Sequence, residues 1–447
     1  MQRPTGIDWL SFLGTQSPEW IHQPVSFEEN RFRSRTMKII QATFGVFHHF
    51  ELARELNAQG HLERIYSTFP WRRLRREEVP HEKVETFPWL HTAQILLEQK
   101  RLLPTSLRRV LGYRNATSFD RWMHQRIPEC DALVALSGAA LTTGRLVQSR
   151  GGKYVCDRGS THRMSQAKIM REEHAIWKLP YTLFEPREEA REMQIYEQAD
   201  AIVVPSQAAR RSFLAYGHDP ARVHAIPYGV RLERFHKMGD PPTGDDAPFE
   251  VLFVGGVSLR KGFPYLLQAF ARLQHPRKRL RVIGSVSSEL KLLLATLPQT
   301  NVEYLGVLPQ TALVNYMSRS HVMVLPSIEE GLALVQGQAL ACGCPVIATT
   351  ATGAEDLLTD GVEGFIVPIR SVDTLTERMQ QLVDDPELRN RMSAAALARV
   401  QKIGGWRDYG ERWVELLAEL TGRGSTRAAS DFSSDLDADQ TSPRRST

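Results

Sequence analysis

Residues 321–350 read HVMVLPSIEEGLALVQGQALACGCPVIATT. Residues 322–325 are a short apolar run stopped by Pro326 and Ser327, which predicts a buried parallel strand. Glu329, Glu330 and Gly331 make a tight acidic turn. Residues 332–342 then carry apolar side chains at helical spacing until Gly343 and Pro345 end the run. Residues 346–350 are the next strand, so the stretch is a strand–loop–helix–strand unit with a carboxylate at the helix mouth. In a parallel sheet, ligands sit beyond the carboxyl ends of the strands, where helix N-termini aim free N–H groups outward. Such a terminus favours phosphate, and Glu330 beside it can accept hydrogen bonds from sugar hydroxyls. Gln338, eight residues on, lies ~12 Å down the helix, a span suited to the two ends of one elongated ligand. Gly337 keeps the helix surface low, at a cost of roughly 1 kcal/mol against alanine. A plainer reading has Glu330 only complementing the helix dipole.

Glu330, seven residues, Gln338, and then Ala-Cys-Gly-Cys-Pro-Val-Ile-Ala-Thr together resemble the signature of glycosyltransferase family 4. The resemblance implies the GT-B fold: α/β, two Rossmann-like doubly wound parallel-sheet domains facing a central cleft. It also implies a retaining enzyme that uses a nucleotide-sugar and requires no metal or other cofactor. In the family pattern a Glu stands at both ends, the first on the donor sugar and the second on the ribose. This chain departs at the second, where the amide of Gln338 can still donate to and accept from a ribose hydroxyl.

The chain has 447 residues, too many for one core and suited to two domains of about 200 residues with tails. Its 42% hydrophobic and 24% charged residues describe a globular protein. No run of 18 apolar residues and no signal-peptide core occurs, so the expectation is a cytoplasmic protein. Four cysteines, at 130, 156, 342 and 344, make no disulfide framework and too few ligands for a zinc site. A net charge of +5 and a pI near 9.0 permit anionic partners without naming one.

Residues 1–36 show no sustained period and read as a poorly ordered extension, with Met37 a candidate start of the natural chain. The first domain, acceptor-binding by the resemblance, is expected over 37–237. It opens with a strand over 39–44, Gly45 and a helix over 46–59. No G-x-G-x-x-G follows, which argues against a dinucleotide cofactor. Gly45 is either a turn residue or, as the resemblance implies, close to the donor diphosphate or acceptor. His48, His49 and Glu51 sit on the first helical turn and either face the cleft or, as the plainer expectation, lie exposed at the surface. Residues 69–110 set nine Lys/Arg and five Glu among Trp71, Trp89 and several Leu. They suit either a peripheral membrane contact with an anionic lipid-linked acceptor or a solvated helical face. Nucleic acid finds no supporting motif. A strand over 153–156 delivers Asp157-Arg-Gly-Ser-Thr-His162 at its carboxyl end. That placement resembles the family loop bringing a histidine beside the donor sugar, which makes His162 a catalytic candidate and Arg158 a phosphate or acceptor contact.

Residues 238–249, rich in Pro, Asp and Gly, are the expected linker. The second domain, over 250–402, begins with a strand and the loop Gly255-Gly-Val-Ser-Leu-Arg-Lys-Gly262. Glycines with Arg260 and Lys261 suit a diphosphate, although the spacing is not that of a P-loop. The resemblance matches Lys261 to the family lysine, while Gly256 stands where the family has arginine. A final helix over 403–421 is expected to cross back to the first domain, and 422–447 to be a disordered tail. Its Asp435-Leu-Asp437-Ala-Asp439 imitates a metal-binding motif without a cleft to hold it. The resulting expectation is a hexosyltransferase: UDP- or GDP-sugar as donor, a glycan or lipid-linked acceptor, Glu330 and His162 at the reaction. Lys261, Arg260 and Gly45 would lie on the diphosphate and Gln338 on the ribose. Two rivals are a nucleotide-sugar epimerase of the same fold and a non-catalytic scaffold.

Overall fold

A computed structural model describes residues 36–99, 105–181, 185–244 and 246–423. The expectations for the N-terminal extension, the tail and its Asp435–Asp439 motif lie outside the described residues. The first sheet contains β1 (Ile39–Thr43), β2 (Leu62–Ser67), β3 (Val84–Thr86), β4 (Ala132–Leu136), β5 (Lys153–Asp157), β6 (Ala201–Val204) and β7 (Val223–Ala225). The second contains β8 (Phe249–Val254), β9 (Lys278–Ile283), β10 (Val302–Gly306), β11 (Val322–Leu325), β12 (Val346–Thr349) and β13 (Gly364–Val367). Their orders are β3-β2-β1-β4-β5-β6-β7 and β10-β9-β8-β11-β12-β13, with every pairing parallel. Central strands such as β11 are buried along their whole length, as sheets covered on both faces require. Strand order reverses at β1/β4 in one sheet and at β8/β11 in the other, so a crevice opens at the carboxyl ends of each pair. The two α/β sheets make the GT-B architecture.

The helix after β11 spans Leu334–Ala341, starting later than its apolar period suggests. Tertiary hydrogen bonds hold the preceding residues extended: Ser206 Oγ donates to the Gly331 carbonyl and Ala333 N donates to that of Thr352. Glu330 therefore sits in a loop rather than at the helix mouth. The chain between the sheets ends one residue earlier than expected, because Phe249 already pairs in β8 and stacks on His321 at 4.8 Å. The last helix, Trp406–Leu420, lies against His49–Ala58 of the first domain. It buries Tyr409, Trp413, Leu416 and Leu417 at helical spacing, roughly 1.5–3 kcal/mol for each apolar side chain fully covered. Gly410 makes the approach possible, since a Cβ there would lie 2.4 Å from Cβ of Glu55.

Candidate active site

The β8/β11 crevice gathers two cations and two carboxylates. Lys261 Nζ lies 2.5 Å from Glu330 Oε1, and Arg260 Nη1 lies 3.0 Å from Glu330 Oε2. Their loop is pressed against the one after β11 by Gly262, whose φ of +63° favours glycine and whose Cβ would meet the Pro326 carbonyl oxygen at 1.8 Å. The Glu330 carboxylate is thus partnered by side chains from across the crevice. A diphosphate would compete for both cations with charge-assisted hydrogen bonds and leave the carboxylate to accept from hydroxyls. Gly256 has no heavy atom within 4 Å of where a Cβ would stand, so the missing family arginine leaves space.

Glu329, to which the sequence lent no role, ties the domains together. It accepts from Ser160 Oγ at 2.5 Å, Thr161 Oγ1 at 2.7 Å and Gln166 Nε2 at 2.9 Å, all of the first domain. Arg260 Nη1 lies 3.5 Å from its Oε2. Burial works against its ionisation, but Arg260 and these donors hold the carboxyl below the usual glutamate range. A group with a depressed folded pKa stabilises above its unfolded pKa, and that stability fades as pH falls through the folded value. Acidification below the ordinary glutamate range is therefore expected to loosen the closed arrangement, read as a larger radius of gyration by small-angle scattering; Glu329→Gln should show it at neutral pH. Gly331 brings the backbones together, since its Cβ would stand 2.3 Å from the Gly159 carbonyl oxygen. Gly331→Ala is expected to wedge the cleft open by the same measurement.

Three sequence-based expectations are corrected. His162 does not face the cleft: it is 2% exposed, stacks on Tyr216 at 4.3 Å and packs edge-on against Phe213. Its Nδ1 accepts from Met164 N, capping the helix Arg163–Ile176. Arg158 is turned inward, with Nη1 3.0 Å from Glu192 Oε2, Nη2 donating to Gln166 and Nε to the Thr161 carbonyl. Gly45, with φ +84°, donates its N–H to Thr68 Oγ1 and accepts at its carbonyl from Ser67 Oγ, so its N–H is already engaged and it acts as the turn residue rather than a phosphate contact. Arg231 pairs with Glu51 Oε1 at 2.5 Å.

Of the two readings of His48 and His49, surface exposure is corrected: both are buried at the end of the sheet. His48 Nε2 is 2.7 Å from Asp157 Oδ2, and His49 Nε2 is 3.5 Å from the same oxygen. The first separation is a hydrogen bond, shorter than the ~3.3 Å edge of a tetrahedron of ligands around zinc. His48 lines an interdomain cavity of about 600 Å³ together with Gln338, Leu334, Gln310 and Arg234. Gln338 thus opens onto the cleft from the second domain, where Gly337 lets the helix approach Val230; a Cβ would lie 2.6 Å from its Cγ2.

Burial, only partly opposed by Asp157 and aided by the neighbouring His48, lowers the pKa of His49 to about 3. Burial, with His218 and Arg158, lowers that of His162 to about 4. Both are neutral when folded, so the unfolded chain takes up their protons first as pH falls. The melting temperature is expected to drop between about pH 6.5 and pH 4, a loss of about 3 kcal/mol from the fully buried His49 alone, at ~1.36 kcal/mol per pH unit. His162→Gln should shallow that slope.

The family model described as "Glycosyltransferase Family 4" matches residues 46–234, and that described as "Glycosyl transferases group 1" matches 241–399. A curated relative, the GDP-mannose-dependent monoacylated alpha-(1-6)-phosphatidylinositol monomannoside mannosyltransferase of Corynebacterium glutamicum, is 31% identical over 247 residues, 50% of this chain and 63% of that protein. The D-inositol 3-phosphate glycosyltransferase of Kribbella flavida is 30% identical over 237 residues, 48% of this chain and 55% of that protein. The chain therefore spans less than two-thirds of the length of these relatives. Among solved structures, sucrose-phosphate synthase of Thermosynechococcus elongatus superimposes with TM-score 0.65 at 19% identity, over 86% of this chain and 99% of that one. Anabaena Alr3699/HepE in complex with UDP-glucose gives TM-score 0.61 at 18% identity, over 86% and 100%.

Proposed function

Because this chain belongs to the family 4 glycosyltransferases of GT-B fold, we propose that it moves a hexose from a UDP- or GDP-sugar to a hydroxyl of a glycan or lipid-linked acceptor, with retention at the anomeric carbon. The observation that carries this reading is Glu330, clamped by Lys261 and Arg260 where β8 meets β11. In the transfer, the two cations take the diphosphate and offset the charge that grows on it as it leaves. Glu330 then orients the sugar, and Gln338 receives the ribose. The second domain holds the donor and the first the acceptor. The donor class is supported by the UDP-glucose complex of HepE and by the GDP-mannose dependence of the corynebacterial relative. Both curated relatives act on inositol-bearing molecules, which makes such acceptors the first to try.

A lipid-linked acceptor would be met at the cytoplasmic face of a membrane. Trp89 at 75% and Leu96 at 53% exposure, on the helix Trp89–Gln99, support contact there. Among the described residues no helix is long and apolar enough to cross a membrane.

The test begins with thermal shift against UDP-glucose, UDP-N-acetylglucosamine and GDP-mannose. Nucleotide release with inositol, oligosaccharide and phosphatidylinositol acceptors follows, and proton NMR of the product gives the anomeric configuration. Turnover of the donor with no acceptor would mark an epimerase. Donor binding without any turnover would mark a scaffold.

A further inference from the structure

We propose that Phe47 is the platform on which the acceptor lies, and that the acceptor is a ring with one apolar face, a sugar or a cyclitol. This rests on the transfer reading above, in which the first domain holds the acceptor, and names the class of that substrate. Phe47 stands in the turn from β1 into the helix His49–Ala58, with φ +43°. Gly45, two residues earlier, adopts a positive φ readily, whereas in a bulky residue Cβ crowds the following carbonyl oxygen. The ring of Phe47 is also 65% exposed. Its neighbours in sequence behave otherwise: Phe44 packs against Phe119 at 5.8 Å, and Phe50 is buried in the core. Phe47 therefore holds backbone strain and leaves apolar surface in water, and neither stabilises the fold.

Both features meet at the interdomain cavity of about 600 Å³, which Phe47 lines. Glu78, with φ +58°, lines it too, so two of the five non-glycine residues at positive φ among the described residues stand on one wall. Strained backbone gathered at a cavity points to a ligand there. The rest of the first-domain wall is charged and engaged: Arg231 pairs with Glu51 Oε1 at 2.5 Å, and Arg234 Nη1 donates to Gln310 Oε1 of the second domain at 2.5 Å. An aromatic face beside carboxylates and guanidinium groups suits a polyhydroxylated ring. Its C–H bonds meet the electron-rich face of the phenyl ring, and the hydroxyls around its rim both donate and accept. A nucleobase is the other flat partner, but it offers few sites to so many charged groups.

Stacking of this kind fixes the plane of the acceptor ring and leaves its edge hydroxyls free to turn towards the donor. It acts alike on the bound substrate and on the transition state, so Phe47 governs how well the acceptor binds rather than how fast the bound acceptor reacts. The donor groups Lys261, Arg260 and Glu330 belong to the other domain and cluster with one another, apart from this ring. Donor binding and acceptor binding are therefore separable in variants of Phe47.

The test uses the full chain and whichever of UDP-glucose, UDP-N-acetylglucosamine or GDP-mannose raises its melting temperature. The acceptor probes are myo-inositol, methyl α-mannoside, phosphatidylinositol vesicles and glycerol, and nucleotide release is the readout. Phe47→Ala is expected to raise KM for the ring acceptor about ten-fold, with kcat and nucleotide Kd within about two-fold of the parent. Phe47→Tyr and Phe47→Trp keep a flat face and should keep the parent's KM, whereas Phe47→Leu, apolar without one, should not. Glycerol, which has no ring, should not distinguish the parent from Phe47→Ala. Independently of any substrate, Phe47→Gly should melt above Phe47→Ala by roughly 2 °C, the reverse of the usual order, because glycine alone rests easily at this φ. Phe47→Gly melting below Phe47→Ala, or the parent's KM kept by Phe47→Ala or Phe47→Leu, would overturn the assignment. So would a loss of UDP or GDP affinity in place of acceptor affinity, which would give the ring to the nucleobase, and so would a parent that uses glycerol and no ring probe. If the parent turns over no donor with any probe, the transfer reading fails and takes this one with it. If the parent is active and Glu330→Ala is not, yet Phe47→Ala keeps the parent's KM, only the platform fails.

Discussion

Glu330→Ala is expected to lower transfer at least ~100-fold, the scale of one contact made more strongly in the transition state than in the ground state. Nucleotide affinity should not fall with it. In the free protein Glu330 neutralises Lys261 and Arg260, and its removal leaves both cations to a diphosphate without a competing carboxylate. The split between kcat and nucleotide Kd is therefore the diagnostic, measured by steady-state release and by calorimetry with UDP and GDP. Glu330→Gln, which keeps the shape and loses the charge, should fall between parent and alanine variant. Equal turnover in parent and Glu330→Ala would remove the carboxylate from the reaction.

The second large effect is on stability. Arg158→Met leaves Glu192 in the first domain without its guanidinium partner, where the two side chains are only 10% and 9% exposed. Stranding one member of a buried ion pair costs about 3 kcal/mol, which lowers the melting temperature roughly 6–12 °C for a domain of this size. Ser137 and Tyr196 still donate to Glu192, and Arg163 lies 3.6 Å away, so the loss stays at the lower end of the buried-pair range. Adding Glu192→Gln to Arg158→Met should recover only part of it, because the stranded carboxylate is gone but Arg163 loses its ion pair with it. Recovery would be seen in the same melting experiment. An Arg158→Met protein as stable as the parent would mean that the pair carries no stability.

Much of the second domain was legible in residues 251–368. Strands buried on both faces declare themselves as short apolar runs, and β11 and the last helix, Trp406–Leu420, fall where their patterns put them. The clamp of Glu330 by Lys261 and Arg260 was foreshadowed only as two separate loops that the family resemblance assigned to one ligand. Their contact follows from β8 and β11 being neighbours although they are far apart in the chain. The first domain was read less well. His162 and Arg158 looked functional because both follow a strand end, yet one caps a helix and the other neutralises Glu192. The contact between His48 and Asp157 was not legible because 109 residues separate them, although each had been noted at its own strand end. A pair of adjacent histidines opening a helix beside a strand end was the one available hint.

The amino-acid order by itself determined which segments are strands and helices, that they alternate into two parallel sheets, and which loop carries the acidic pair. Those properties are local, since periodicity, glycine and proline positions and strand-end polarity act within a few residues. The family resemblance had already chosen Glu330, but only the tertiary structure showed that Glu329 crosses to Ser160, Thr161 and Gln166 of the first domain, and that His48 lines the interdomain cavity while His162 turns inward. The reason is that a polar side chain at a strand end goes wherever its hydrogen bonds and charge are satisfied, and the partners that satisfy it come from strands and helices distant in sequence.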